Sequence, residues 1–159
     1  MKDFQPASDA TGQAAIAELD ARAGIETALA DYAIGIDERD PDRWLSAFHE
    51  DAVLDVAFPQ AVLKGHAEIL AWAKGLFRFQ SLAHLTGNHR ITFIDDGRAE
   101  GICGGLGLFK LEDGTVTLAS ARLTDHYARR DGHWRIQHRT MRLTSCFQLN
   151  GAVDLIAQG

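Results

Sequence analysis

Asp37 ends a stripe that should hold only hydrocarbon. Ile25, Leu29, Ala33 and Ile36 recur at three- and four-residue steps, and the residue after them is a carboxylate. Such a group on the rim of a buried helix face is tolerable only if something hydrogen-bonds it or shares its charge. Imidazole does both. A neutral ring can take a proton at working pH, and a carboxylate on its other nitrogen fixes the tautomer and steadies the imidazolium that forms. His84 is the candidate base. Its distance from Asp37 along the chain carries no information on proximity, and a solvated Asp37 and a core His84 are the ordinary alternatives. His89, His126, His133 and His138 complete no HxH or HExxH pattern, so no metal site is expected.

Further groups could assist such a base. Tyr32 lies five positions before Asp37, about 140° away around a helix, so the two flank the inward stripe. Its phenol could hydrogen-bond a leaving hydroxyl, or simply be a core aromatic. The stretch "WRIQHRTMRL" carries Arg135, Arg139 and Arg142. A guanidinium turned into a cavity binds a departing or developing anion, whereas one on an outer sheet face is merely solvated. Phe48, Leu54, Phe79, Leu82 and Leu123 are expected to wall the substrate cavity, with His126 as a minor polar contributor. Ordinary core packing would use the same apolar types.

The elements that must position these groups follow from periodicity. Residues 13–39 read as one long helix through Ile16, Leu19, Ala23, Ile25, Leu29, Tyr32 and Ile36. "RDPDRWLSAF" restarts as a short helix, with Asp40 as N-cap and Pro41 at the first helical position. "DAVLDVAF", closed by Pro59, and "QAVLKG" read as a short strand pair. "HAEILAWAKGLFRF" returns to helical spacing. Four long strands then follow, separated by the turn signals "DDG", "EDG" and "RDG". "GICGGLG" is read as a place where the sheet curves, not as a dinucleotide fingerprint, because no helix follows it. The expected architecture is α+β: a curved, cone-shaped antiparallel sheet closed by the N-terminal helices around an internal pocket.

Composition sets the outer limits. The chain has 159 residues, 46% hydrophobic and 24% charged, which suits one globular domain. A net charge of −6 with scattered Lys and Arg argues against a nucleic-acid or anionic-membrane partner. No apolar run approaches a membrane span, and the N-terminus lacks a signal core, so a cytoplasmic location is expected. Cys103 and Cys146 are expected to be two buried, reduced thiols. Residues 1–12 read as a flexible N-terminal arm, 13–150 as the domain and 151–159 as a C-terminal tail.

Four stretches resemble the SnoaL-like family of the nuclear transport factor 2-like superfamily: "YAIGIDERD", "DAVLDV", "HLTGNHRITF" and "YARRDGHWRI". The resemblance runs from about residue 13 to 148 and points to the branch holding scytalone dehydratase, bile-acid 7α-dehydratase and hexachlorocyclohexane dehydrochlorinase. It implies an α+β barrel, a pairing of Asp37 with His84, and a role for Arg139. It also implies dimers or trimers. At the position of Tyr32 the dehydrochlorinase has a lysine and the bile-acid enzyme a tyrosine, which moves weight toward loss of water. The implied activity is that of a cofactor-independent lyase or isomerase on a small, mostly apolar cyclic substrate. A non-catalytic ligand-binding or assembly module on the same fold is the alternative. Epoxide hydrolysis would need an Asp–Arg–Asp set, and no second carboxylate is evident.

Overall fold

The computed structural model describes residues 10–57 and 60–149. Most of the expected arm, the tail and Pro59 lie outside the described residues. Helix α1 (Ala10–Asp37) is followed by α2 (Pro41–Ser46), β1 (Phe48–Ala57), β2 (Gln60–Lys64) and α3 (Gly65–Lys74). A 3-10 turn (Gly75–Arg78) leads into β3 (Ser81–Asp95), β4 (Arg98–Lys110), β5 (Val116–Arg130) and β6 (His133–Leu149). No helix among the described residues is long and apolar enough to cross a membrane.

Local chemistry explains the helix borders. α1 starts at Ala10 rather than residue 13 and stops at Asp37 rather than 39. Its last turn is closed by two backbone bonds, Arg39 N–H to Ile36 O (3.3 Å) and Asp40 N–H to Gly35 O (2.8 Å). Asp40 then caps α2, its side chain accepting from the Arg43 N–H at 3.0 Å, with Pro41 opening the helix as expected. The expected helix through Phe48 ends sooner, at Ser46. Long-range pairing wins there: Ile136 N–H donates to Ala47 O at 2.9 Å, and Phe48 already sits in register with Ile136.

The six strands form one curved sheet in the order β2-β1-β6-β5-β4-β3. Its edges, β2 and β3, do not pair with each other, so the sheet is open rather than a closed barrel. It is also not purely antiparallel. β1 and β6 run parallel, which is possible because no tight turn joins them and the whole intervening chain serves as the crossover. Register breaks fall at Gly87/Arg90 on β3, opposite the glycine-rich part of β4, and at Ser120/Ala121 and His126/Tyr127 on β5. The β4–β5 ladder itself runs unbroken through those glycines. The Gly87/Arg90 break, with Asn88 in the left-handed region (φ 54°), is where the ladder yields beside that run; a second break on β3 falls at Phe93/Asp95.

The helices cover one face of the sheet. Ile25, Ile36, Trp44, Phe48, Leu54, Val56, Ile69 and Ile136 make up a buried core between α1, α2, α3, β1 and β6. Tyr32, Trp44 and Phe48 form a ring cluster with centroids 5.4–6.2 Å apart. Gly35 lets α1 and α2 touch: a Cβ there would lie 2.4 Å from the Trp44 backbone nitrogen. Gly35→Ala should therefore lower unfolding stability by about 1–3 kcal/mol in urea titrations. Gly75→Ala, where a Cβ meets nothing within 4 Å, should be nearly silent.

Candidate active site

The end of α1 and the start of β3 bring Asp37 and His84 into direct contact. Asp37 Oδ1 lies 2.6 Å from His84 Nδ1, and Asp37 Oδ2 accepts the His84 backbone N–H, also at 2.6 Å. Their side chains are 23% and 15% exposed, so the pair is half-shielded yet reachable. A carboxylate on Nδ1 places the ring hydrogen there and leaves the Nε2 lone pair free to accept a proton. The ring meets Phe109 edge-on, centroids 5.3 Å apart. Gly107, opposite His84 across the β3–β4 ladder, makes room for both: a Cβ there would lie 2.7 Å from Phe109 and 3.5 Å from His84 Cδ2.

His84 opens into a cavity of about 770 Å³. Its walls are largely apolar, from Trp44 and Trp72 on the helical side to Phe109, Leu123 and Met141 on the sheet. Asp37 stands behind the ring and is not part of the wall. Of the expected lining residues, Phe79 and Leu123 line the cavity, and Tyr32, expected as an assisting group, lies in its wall as well. Phe48 and Leu54 do not. They are fully buried around β1, whereas the cavity's sheet side is made by β3 to β6. Leu82, paired with Phe109, is half-buried outside the wall, which Phe79 and Phe109 form at this level with centroids 5.2 Å apart. His126 is a correction set by strand alternation. Leu123, Asp125 and Tyr127 point inward, so His126 faces out, with its side chain 54% exposed and Nδ1 3.6 Å from Glu100. Cys146 is a second correction: it is exposed and lines the cavity, while Cys103 is buried.

Arg139 is the inward arginine of β6. Arg142 is exposed and pairs with Asp55, and Arg135 lines a separate cleft beside α1. Arg139 does not reach the cavity wall either. It is 0% exposed, and its guanidinium carbon lies 4.2 Å from the centroid of the Tyr32 ring, so Tyr32 fronts the cavity with the cation behind it. The guanidinium is held by Asp125 in a two-pronged contact, Nε to Oδ1 and Nη2 to Oδ2, both 2.7 Å. Tyr127 donates to Asp125 Oδ2 at 2.7 Å, its hydroxyl lies 3.3 Å from His89 Nε2, and His89 Nδ1 lies 2.9 Å from Glu26. Asp125 is thus the second carboxylate that the sequence did not reveal, although it is as buried as the arginine it holds. The inward parity of Leu123 was the available signal for it.

Electrostatics follow the burial. Desolvation opposes the Arg139 charge, but the carboxylate of Asp125 outweighs it and holds the guanidinium above its ordinary pKa. Burial raises the Tyr32 phenol above its usual range, opposed by that same guanidinium. The phenol therefore stays protonated at neutral pH and is available as a donor. Arg139 Nη1 and the indole nitrogen of the cavity-lining Trp44 are buried without a hydrogen-bond partner. No group of three metal-ligating side chains occurs among the described residues.

Two measurements check this geometry. Asp125→Ala should cost about 3–5 kcal/mol of stability, because it strands a buried cation, and Asp125→Leu combined with Arg139→Met should recover most of that loss. Burial pushes the Cys103 thiol up to about 11, so little thiolate exists at pH 8. Iodoacetamide on the native protein should therefore label Cys146 and spare Cys103, as read by mass spectrometry.

Comparison with known proteins agrees with this architecture. Residues 17–140 match the model of the SnoaL-like domain. The gamma-hexachlorocyclohexane dehydrochlorinase of Sphingobium indicum is 31% identical over 124 residues, covering 76% of this chain and 79% of that protein. The crystal structure of hexachlorocyclohexane dehydrochlorinase LinA-type3 from Novosphingobium barchaimii superposes with a TM-score of 0.79 at 27% identity, over 88% of this chain and 97% of that one. A scytalone dehydratase-like protein from Novosphingobium aromaticivorans has a TM-score of 0.78 at 20% identity, covering 87% and 93%, and so bears on the fold alone. With a family match over most of its length and the architecture shared with solved relatives, the chain belongs to the SnoaL-like domain family.

Proposed function

We propose that the chain is a lyase that needs no cofactor and removes water from a small, mostly apolar cyclic substrate by general-base catalysis. The observation that carries this reading is the Asp37–His84 contact, with the ring opening into an apolar cavity and the acid behind it. His84 Nε2 takes a proton from carbon, and the C–H electron pair becomes the new double bond as the C–O bond breaks. The departing oxygen takes the Tyr32 phenol hydrogen and leaves as water, and the proton held by His84 resets the phenol. Asp37 keeps the ring in one tautomer and steadies its charge. Arg139 acts through Tyr32, easing negative charge on the phenol oxygen while that hydrogen is in transit. The kinship with dehydrochlorinases supports the lyase class, and Tyr32 supports an oxygen leaving group. Self-association belongs to the same proposal, since Ile102, Leu108 and Phe147 are exposed apolar residues of the sheet outside the cavity wall. Light scattering after gel filtration should report a dimer or trimer.

The chemistry is tested by incubating the protein with cyclic β-hydroxy ketones and with hexachlorocyclohexane, following loss of one water by mass and release of chloride. Dehydration should dominate. On the substrate so identified, His84→Ala should lose about 10²-fold or more, and Asp37→Asn a comparable amount. Tyr32→Phe should slow loss of water more than loss of chloride. If both dyad variants turn over within severalfold of wild type, the mechanism is wrong. A ligand recovered unchanged would favour the binding-module alternative.

A further inference from the structure

We infer that Arg39 is a positioning residue, holding the edge strand that carries His84 in place against Asp37; the inference rests on the reading of His84 as the base. Arg39 has a left-handed backbone (φ 56°) just past the end of α1, a place that glycine most often occupies. Its guanidinium crosses to the sheet. Nη2 donates to the carbonyls of Phe79 at 2.6 Å and Gln80 at 3.1 Å, the two residues that lead into β3.

Among the described residues β3 is an edge strand with β4 as its one strand neighbour, so its outer side is held by other elements. The end of α1 supplies two ties at different points along it: Asp37 grips the backbone and ring of His84, and Arg39 grips the chain just before Ser81. Farther along β3, His89 meets Glu26 of α1 at 2.9 Å, on the C-terminal side of His84. Arg39 is the tie on the N-terminal side, so without it the chain leading into His84 can swing away from the helix. Arg39 also sets the cavity wall, since Phe79 packs on Phe109 and Phe109 meets the His84 ring. Arg39 itself is not among the cavity-lining residues, so its influence runs through these neighbours.

Arg39→Gly separates the two uses of the residue. Glycine suits the left-handed position, so the helix should still end there and the melting temperature should stay within about 4 °C of wild type. Hydrogen–deuterium exchange at the His84 backbone amide should accelerate about tenfold or more, while the Tyr127 and Leu123 amides keep their rates. The proton shared between His84 Nδ1 and Asp37 should broaden or shift in its downfield NMR signal. Arg39→Met, which keeps the stem and removes the donors, should behave likewise and is read in its place if the glycine variant fails to fold. Wild-type exchange and an unchanged signal in the variant read would overturn the inference, as would uniform acceleration across the sheet. Neither readout uses substrate. Should His84→Ala retain turnover while Arg39→Gly loosens His84, the chemistry fails and the positioning role stands.

Discussion

The Asp37 carboxylate gives both of its oxygens to a single residue, one to a backbone amide and one to a ring. A carboxylate held on two sides cannot rotate, so the imidazole it grips has one orientation. The arrangement works against helix electrostatics. Asp37 is the last residue of α1, at the negative end of the helix dipole, where a cation would be preferred. Two charge-assisted hydrogen bonds offset that penalty, and one of them satisfies a donor on the free side of an edge strand. The rest of the local structure follows from keeping this contact. The helix must stop at residue 37, β3 must lie at the sheet edge beside it, and Gly107 must leave space for the ring across the ladder.

A second polar assembly lies deeper, and its energetics differ. Asp125 and Arg139 are both withdrawn from water, where desolvation of each ion nearly cancels their attraction. Apolar residues could fill that volume without loss of stability, so stability alone gives no reason for the pair. Its position does. The guanidinium lies under the face of Tyr32, and Tyr32 is the residue that meets the cavity. A positive charge is thereby kept close to a phenol without being offered directly to whatever occupies the chamber.

Much of this was legible in the residues, and the losses have identifiable causes. Asp40 and Pro41 marked the start of α2, and "DDG", "EDG" and "RDG" marked the joints between the long strands, because caps and tight turns are local chemistry. The stripe ending in Asp37 was legible as an anomaly, although only coordinates could show that His84 meets it. Phe48 was misread as helical because its partner, Ile136, lies at the far end of the chain. His126 faces out because alternation runs through Leu123, and the same alternation turns Asp125 and Tyr127 inward. The parallel pairing of β1 with β6 left no local trace at all.

Under the proposed reading, the identity of residue 32 determines what the cavity can offer a leaving group. A lysine there would present a full positive charge to the chamber, which suits a halide leaving as an anion with little need of a proton. A tyrosine presents a neutral donor, and burial keeps its hydrogen in place at neutral pH. Hydroxide is a poor leaving group unless it gains a proton as its bond to carbon breaks, and a phenol can deliver one where a solvated surface group cannot. The phenolate left behind is then the unstable species in a dry site, and a guanidinium 4.2 Å from its ring centroid is placed to lower that cost. Under the proposed reading, the buried Asp125–Arg139 pair and the tyrosine in front of it form one device: the carboxylate fixes the guanidinium, the guanidinium steadies the phenol, and the phenol favours water over chloride as the group expelled.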